Sequence, residues 1–287
     1  MKSPIHFGTS GWRGLIARDF TFEYLRLAAQ GLALTLKSEL RRKKSPIHGK
    51  RPLVIIGHDT RFLGREFALA TAEILQQAGL EPLLTNRDAP TPVIAFSIRQ
   101  KKAIGGVNIT ASHNPFDYSG FKFSMPNGAG APPEFTGKIE AHAEKFLAKG
   151  WQPKTAVTGT FSCPEFDPAP AYLRRIRKLV DLQAIGKAKL RIAVELMHGT
   201  GRGYLDTLLE EAGSCGFCIF NNVAAMLRDA FGYARAHLGM RTAVGTEAPR
   251  NAFYQASMSG AADQSATYAA VFKRIQAAYP IDIWWTF

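Results

Sequence analysis

The chain is 287 residues long and 46% hydrophobic, with 36 Lys and Arg against 23 Asp and Glu and a formal net charge of +13. That apolar content sets aside a disordered chain and suffices for one large or two modest domains, while the basic balance suits an anionic partner, a sugar phosphate or a nucleic acid. Three cysteines behind an N-terminus unlike a signal peptide argue against a secreted disulfide scaffold. No apolar run is long enough to cross a bilayer, so a cytoplasmic location without membrane contact is expected.

In chain order, Phe7-Gly8-Thr9-Ser10-Gly11-Trp12-Arg13-Gly14 reads as a glycine-rich turn centred on Arg13. Its glycines let backbone approach an anion, and a guanidinium offers a planar fork of donors suited to phosphate. An ordinary turn with a solvated arginine is the bland alternative, and this string alone leaves both open. Apolar residues at Phe22, Leu25, Ala29, Leu32 and Leu36 predict an amphipathic helix over 21–43. It ends in Arg41-Arg42-Lys43-Lys44, where the helix dipole favours cations. With no interleaved aromatics or binding module, this is a solvated helix end, and no nucleic-acid partner is expected.

The run Leu53-Val54-Ile55-Ile56 predicts a strand over 53–58, followed by the turn Gly57-His58-Asp59-Thr60-Arg61-Phe62-Leu63 and a helix over 65–79 carrying Phe67, Ala70, Ile74 and Leu75. Asp59 and Arg61 read as an internal ion pair rather than catalysts. Strands over 81–85, 103–109 and 120–124 and helices over 92–101 and 133–148 complete an alternation that predicts an α/β/α sandwich with a largely parallel or mixed sheet. The stretch from Gly150 to Pro170 reads as a linker. Beyond it come a helix from Ala171 through Leu182, a strand over 190–194 and the run Met197-His198-Gly199-Thr200-Gly201-Arg202-Gly203-Tyr204-Leu205, the start of an incomplete second α/β unit.

The strand over 103–109 delivers Thr110-Ala111-Ser112-His113-Asn114-Pro115, one hydroxyl among polar groups, with Pro115 keeping the turn out of a helix. Ser112 is therefore expected on an exposed loop, presented as a phosphorylatable serine would be. Adjacent Ser and His cannot readily form the nucleophile-to-base hydrogen bond of a hydrolase, and a lone Ser-His-Asn is most often a turn. The longer string, continuing through Phe116-Asp117-Tyr118 to Ser119-Gly120-Phe121-Lys122, closely resembles the active-site serine loop of the α-D-phosphohexomutases, the phosphoglucomutase and phosphomannomutase family. The N-terminal turn with Asp19-Phe20-Thr21-Phe22-Glu23, the Gly57–Leu63 turn and the Met197–Leu205 run resemble that family too, with Glu195 where aspartate is more usual.

The resemblance covers residues 1 to about 213 and implies domain I of that family over 1–150 and the start of its domain II over 151–213. It implies an isomerase of carbohydrate metabolism that moves phosphate between the 1- and 6-positions of glucose or mannose through a phosphoserine. Ser112 would carry the phosphoryl group and contact magnesium through its phosphate. His113 and Asn114 would shape the loop and, with Arg13 and Lys122, bind phosphate; Arg13 and Lys122 would stabilise charge or assist proton transfer. Magnesium as cofactor, a hexose bisphosphate as activator and a hexose phosphate as substrate follow from the same resemblance.

The three-aspartate Asp-Gly-Asp-x-Asp-Arg loop that holds magnesium in that family is absent from these residues, so impaired activity is expected. After Gly213 the chain is instead similar to a segment of the histone deacetylase and acetoin-utilisation family, from Cys215-Gly216-Phe217-Cys218 through the helix ending near His237 and the strand over 240–244 to Gly245-Thr246-Glu247. Val244 joins Gly245 directly where that family places zinc ligands, so residues 214–287 resemble a truncated deacetylase segment without its chemistry. The chain thus reads as two family fragments joined near Gly213. Two other readings stand beside the mutase: a non-catalytic fragment binding phosphorylated ligands, and a metal-dependent deacylase.

Overall fold

A computed structural model describes residues 5–8, 11–42, 51–151, 161–188, 192–196, 199–213, 218–220 and 282–283. Two compact units divide the chain, Met1–Arg174 and Arg175–Phe287.

The first unit is built on a seven-stranded mixed sheet in the order β1-β2-β6-β5-β3-β4-β7. In chain order its elements are β1 (Phe7–Gly8), β2 (Gly11–Leu15), α1 (Phe22–Arg42), β3 (Leu53–His58), α2 (Gly64–Gln77), β4 (Glu81–Thr85), α3 (Thr91–Gln100), β5 (Gly106–Ile109), β6 (Tyr118–Ser124), α4 (Pro133–Ala148) and β7 (Glu165–Phe166), followed by α5 (Ala169–Arg177). β3 pairs in parallel with both β4 and β5, and β6 runs antiparallel to β5 and β2. The chain steps from β3 to β4 on one side and then back across β3 to β5. Right-handed crossovers in opposite directions place the connecting helices on opposite faces of a sheet. Accordingly α2 joins α1 and α4 on one face, while α3 packs on β3 and β5.

The apolar period expected for α1 is met: Leu25, Ala29, Leu32 and Leu36 are buried, and half-buried Phe22 lies 4.6 Å from the Phe67 ring. Gly31 is buried as well because α4 crosses α1 there; a Cβ at Gly31 would stand 2.6 Å from the Ile139 carbonyl oxygen. Between sheet and helices lie Trp12, Val54, Ile56, Val107, Ile109 and Phe121, all buried. Rings continue the packing from Trp12 to Phe20 at 4.5 Å and from Phe20 to Phe67 at 5.0 Å, which ties β2 to α2. Burial of such a continuous apolar face is the main source of stability for this layered arrangement.

The expected α/β/α sandwich is thus the fold, and two segments go beyond the sequence reading. Phe7–Gly8 and Gly11–Leu15, expected as a turn, form a hairpin that adds two strands to the sheet. The stretch expected as a linker contributes β7, parallel to β4 at the sheet edge.

The second unit holds α6 (Leu182–Lys187), β8 (Ile192–Glu195), α7 (Leu205–Glu211), β9 (Cys218–Phe220) and β10 (Asp282–Ile283). β8 is the middle strand of a parallel three-stranded sheet between β10 and β9. Val194, Leu196 and Leu209 form its small buried cluster, and Arg177 makes a bidentate pair with Glu211 at 2.7 and 2.5 Å. Met197, His198, Cys215 and the segments expected as a helix near His237, a strand over 240–244 and the Gly245–Glu247 run lie outside the described residues.

Candidate functional site

The parallel strands β3 and β5 end side by side, with His58 paired to Ile109 and the Asp59 N–H donating to the Ile109 carbonyl at 3.0 Å. Open α/β sheets place ligands beyond the carboxyl ends of such strands. Two loops therefore leave the sheet together: the turn bearing Asp59 and Arg61, and the loop bearing Ser112, His113 and Asn114. Two further strands complete the site. Arg13 on β2 stands opposite Gly120 on β6, and Lys122 stands opposite Asn108 on β5. Because side chains alternate along a strand, Arg13 and Lys122 share the face opposite the one that Trp12 and Phe121 bury. Gly11 makes room for this: at φ +97 it lies under the Lys122 stem, and a Cβ there would fall 2.7 Å from Lys122 Cγ.

Ser112 is exposed, as its loop predicted, and adopts φ +59, the left-handed region that a non-glycine residue rarely enters. Such strain is characteristic of residues held for function. Its N–H donates to Thr110 Oγ1 at 3.0 Å, and the Asn114 N–H donates to the Ala111 carbonyl at 3.1 Å. Ser112 Oγ lies 3.5 Å from His113 Nδ1, too far for efficient proton transfer, which agrees with the argument against a hydrolase pair.

Arg13 Nη1 donates to Asn114 Oδ1 at 2.7 Å and so joins β2 to the serine loop. Arg61 pairs with Asp59 as expected, Nε to Oδ2 at 3.2 Å. The sequence reading missed the rest of its contacts. Arg61 Nη1 donates to the carbonyls of Pro115 at 2.6 Å and Tyr118 at 3.1 Å, and Nη2 to those of Asn114 at 2.6 Å and Ser112 at 3.0 Å. No local signal announces bonds to residues more than 50 positions away.

Among the described residues neither Arg13 nor Lys122 forms an ion pair, so the mouth of the site carries unneutralised positive charge. Burial holds the Lys122 ammonium below its ordinary pKa; the Arg13 and Arg61 charges push the same way, and Asp59 opposes them. An amine so placed gives up its proton more readily, and a dianion arriving beside it would restore the proton. The site can therefore bind and neutralise phosphate next to an exposed hydroxyl. Among the described residues no three His, Cys, Asp or Glu side chains cluster as a metal site, and Asp59 is already engaged by Arg61. These residues do not by themselves fit magnesium, which needs several hard oxygen ligands.

Residues 4–148 match the family model for the α/β/α domain I of phosphoglucomutase/phosphomannomutase. Similar relatives include a phosphoglucomutase/phosphomannomutase of Thermococcus kodakarensis, 32% identical over 72% of this chain and 42% of its own length. A phosphoglucosamine mutase of Methylobacillus flagellatus is 38% identical over 49% of this chain and 30% of its own length. A crystal structure of a putative phosphomannomutase from Thermus thermophilus superposes with a TM-score of 0.64 at 33% identity, over 77% of this chain and 46% of that one. A sandwich of this topology is the α/β/α domain I of the phosphoglucomutase/phosphomannomutase architecture. The chain belongs to the phosphoglucomutase/phosphomannomutase family, of whose curated relatives it spans less than half the length.

Proposed function

We propose that this chain carries the phosphoserine-bearing part of a hexose-phosphate mutase, with Ser112 as the phosphoryl carrier. The observation that carries the reading is an exposed serine hydroxyl in a left-handed backbone, on a loop that Arg13 binds through Asn114 and whose delivering strand pairs with the strand of Lys122. In the step proposed, a hydroxyl oxygen of a hexose monophosphate attacks the phosphorus on Ser112. The new O–P bond forms as the Ser112 Oγ–P bond breaks, and the bisphosphate then returns its other phosphate to Ser112. Lys122 in its neutral form would accept the proton of the attacking hydroxyl and hand it to the departing Ser112 oxygen, and the same relay would run in the opposite direction when Ser112 attacks the bisphosphate. Arg13 would neutralise charge on the moving group, with Asn114 aiming its guanidinium and His113 at the loop surface. Relatives named phosphoglucomutase/phosphomannomutase and phosphoglucosamine mutase support a hexose phosphate as the substrate class.

The same reading divides the chain into domain I over 1–150, the start of domain II over 151–213 and a separate segment over 214–287. Because the described residues offer no carboxylate cluster, a second reading is binding of phosphorylated ligands without turnover. Incubation with glucose 1,6-bisphosphate followed by intact-mass measurement separates the two. A gain of one phosphoryl group supports transfer; calorimetric binding with unchanged mass supports binding alone.

A further inference from the structure

We propose that Arg61, braced by Asp59, is the positioning residue that holds the serine loop in the left-handed geometry from which Ser112 exchanges its phosphoryl group. The proposal rests on the reading of Ser112 as phosphoryl carrier. L-residues resist the φ of +59 seen at Ser112, and the loop's own N–H bonds are short-range: Ser112 donates to Thr110 Oγ1, Asn114 to the Ala111 carbonyl and Tyr118 to the Pro115 carbonyl. The carbonyls of Ser112, Asn114, Pro115 and Tyr118 instead converge on one guanidinium, at 2.6 to 3.1 Å.

That convergence uses a property peculiar to arginine. Both Nη atoms are spent on the loop while Nε is turned to Asp59 Oδ2 at 3.2 Å, and Asp59 Oδ1 accepts the Arg61 N–H at 3.0 Å. A planar fork of five donors can span four carbonyls and a carboxylate together, whereas an ammonium, three donors on one atom, cannot. Asp59 also offsets the Arg61 charge. Its cation is therefore committed to the loop, and Arg13 and Lys122 remain for an anion. With its side chain only 14% exposed, Arg61 acts through Ser112 rather than on a substrate. The clamp is seated on rigid structure, since Asp59 and Arg61 follow β3 directly and β3 is hydrogen-bonded to the strand that delivers Ser112.

The test compares wild type, Arg61→Lys and Asp59→Asn in two measurements at a temperature well below unfolding. One is amide exchange over residues 111–118 relative to β3 and β5; the other is the rate at which glucose 1,6-bisphosphate labels Ser112. The clamp predicts that Arg61→Lys speeds exchange in 111–118 while β3 and β5 stay protected, and slows labelling roughly 100-fold, the scale of a misplaced reacting group. Asp59→Asn, which keeps shape but removes the bracing charge, is expected to cost roughly tenfold. Labelling of Arg61→Lys at the wild-type rate, or slowing only in step with exchange across the whole unit, would overturn the proposal. A wild-type chain that takes no label removes the phosphoserine reading instead. Exchange then judges the clamp alone: faster opening of 111–118 in Arg61→Lys upholds it as the holder of the loop, and unchanged exchange refutes it.

Discussion

Arg13 and Asn114 are 101 residues apart in the chain, and Arg13 Nη1 donates to Asn114 Oδ1 at 2.7 Å. The bond aims the guanidinium along the serine loop and leaves its other donors for an anion. Loss of a charge-assisted phosphate contact is worth about 1.5–3 kcal/mol. Arg13→Ala is therefore expected to weaken glucose 1,6-bisphosphate binding by roughly 10- to 100-fold, and Asn114→Ala by less, since the charge stays. Isothermal titration of both variants checks the order; an Asn114→Ala loss as large as that of Arg13→Ala would show that orientation, not charge, dominates.

Burial of the Lys122 amine sets a pH dependence of stability. Its folded pKa is pushed below the ordinary value of 10.5, first by burial and then by Arg13 and Arg61. Between the two values the unfolded chain holds more protons, so this group's contribution makes stability rise with pH there; below both, the charged amine opposes folding. Lys122→Met is accordingly expected to raise the melting temperature at pH 7, to flatten the pH dependence on the alkaline side, and to cut labelling of Ser112 by roughly 100-fold or more. Thermal melts from pH 7 to 10 decide the sign. A lower melting temperature for the variant would mean that the amine is stabilised where it sits.

Left-handed backbone occurs both at Lys102 and at Ser112. Lys102, at φ +54, ends α3, and its N–H donates to the Arg99 carbonyl at 3.2 Å. Relief of the αL penalty, about 1–2 kcal/mol, outweighs the roughly 0.5–1 kcal/mol entropic cost of glycine. Lys102→Gly should stabilise the fold by about 0.5–1 kcal/mol in denaturant titration, and Ser112→Gly by a similar amount while abolishing labelling. Destabilisation at Ser112 would place its side chain among the contacts that hold the loop.

Gly31 has the opposite expectation. Alanine would gain about 1 kcal/mol of helix propensity, yet its Cβ would meet the Ile139 carbonyl oxygen at 2.6 Å, where the backbone of α4 cannot yield cheaply. Overpacking of this kind costs about 1–3 kcal/mol, and where it exceeds the propensity gain Gly31→Ala should destabilise the first unit by up to about 2 kcal/mol. A neutral result in urea titration would show that α4 slides readily over α1.

Periodicity made most of this sandwich legible. The helices expected over 21–43, 65–79, 92–101 and 133–148 are found as Phe22–Arg42, Gly64–Gln77, Thr91–Gln100 and Pro133–Ala148, because each must lay an apolar stripe on the sheet. Phe7–Gly8 and Gly11–Leu15 escaped because two short strands rich in glycine carry too few side chains to show an alternation. β2 is held by the distant partner β6, and β1 pairs only with β2. The motifs singled out Ser112, His113, Asn114, Arg13 and Lys122, and the structure joins Arg13 to Asn114 and sets Arg13 and Lys122 on one face of β2 and β6. The role of Arg61 was not legible, since its four carbonyl partners are backbone atoms with no signature in side-chain identity.

The most direct measurement of the central claim is phosphopeptide mapping of the wild-type chain and Ser112→Ala after incubation with glucose 1,6-bisphosphate. One phosphorylated peptide, carrying Ser112, is expected in the wild type and none in the variant. Labelling that persists unchanged in Ser112→Ala, or that falls on another serine in the wild type, would contradict it.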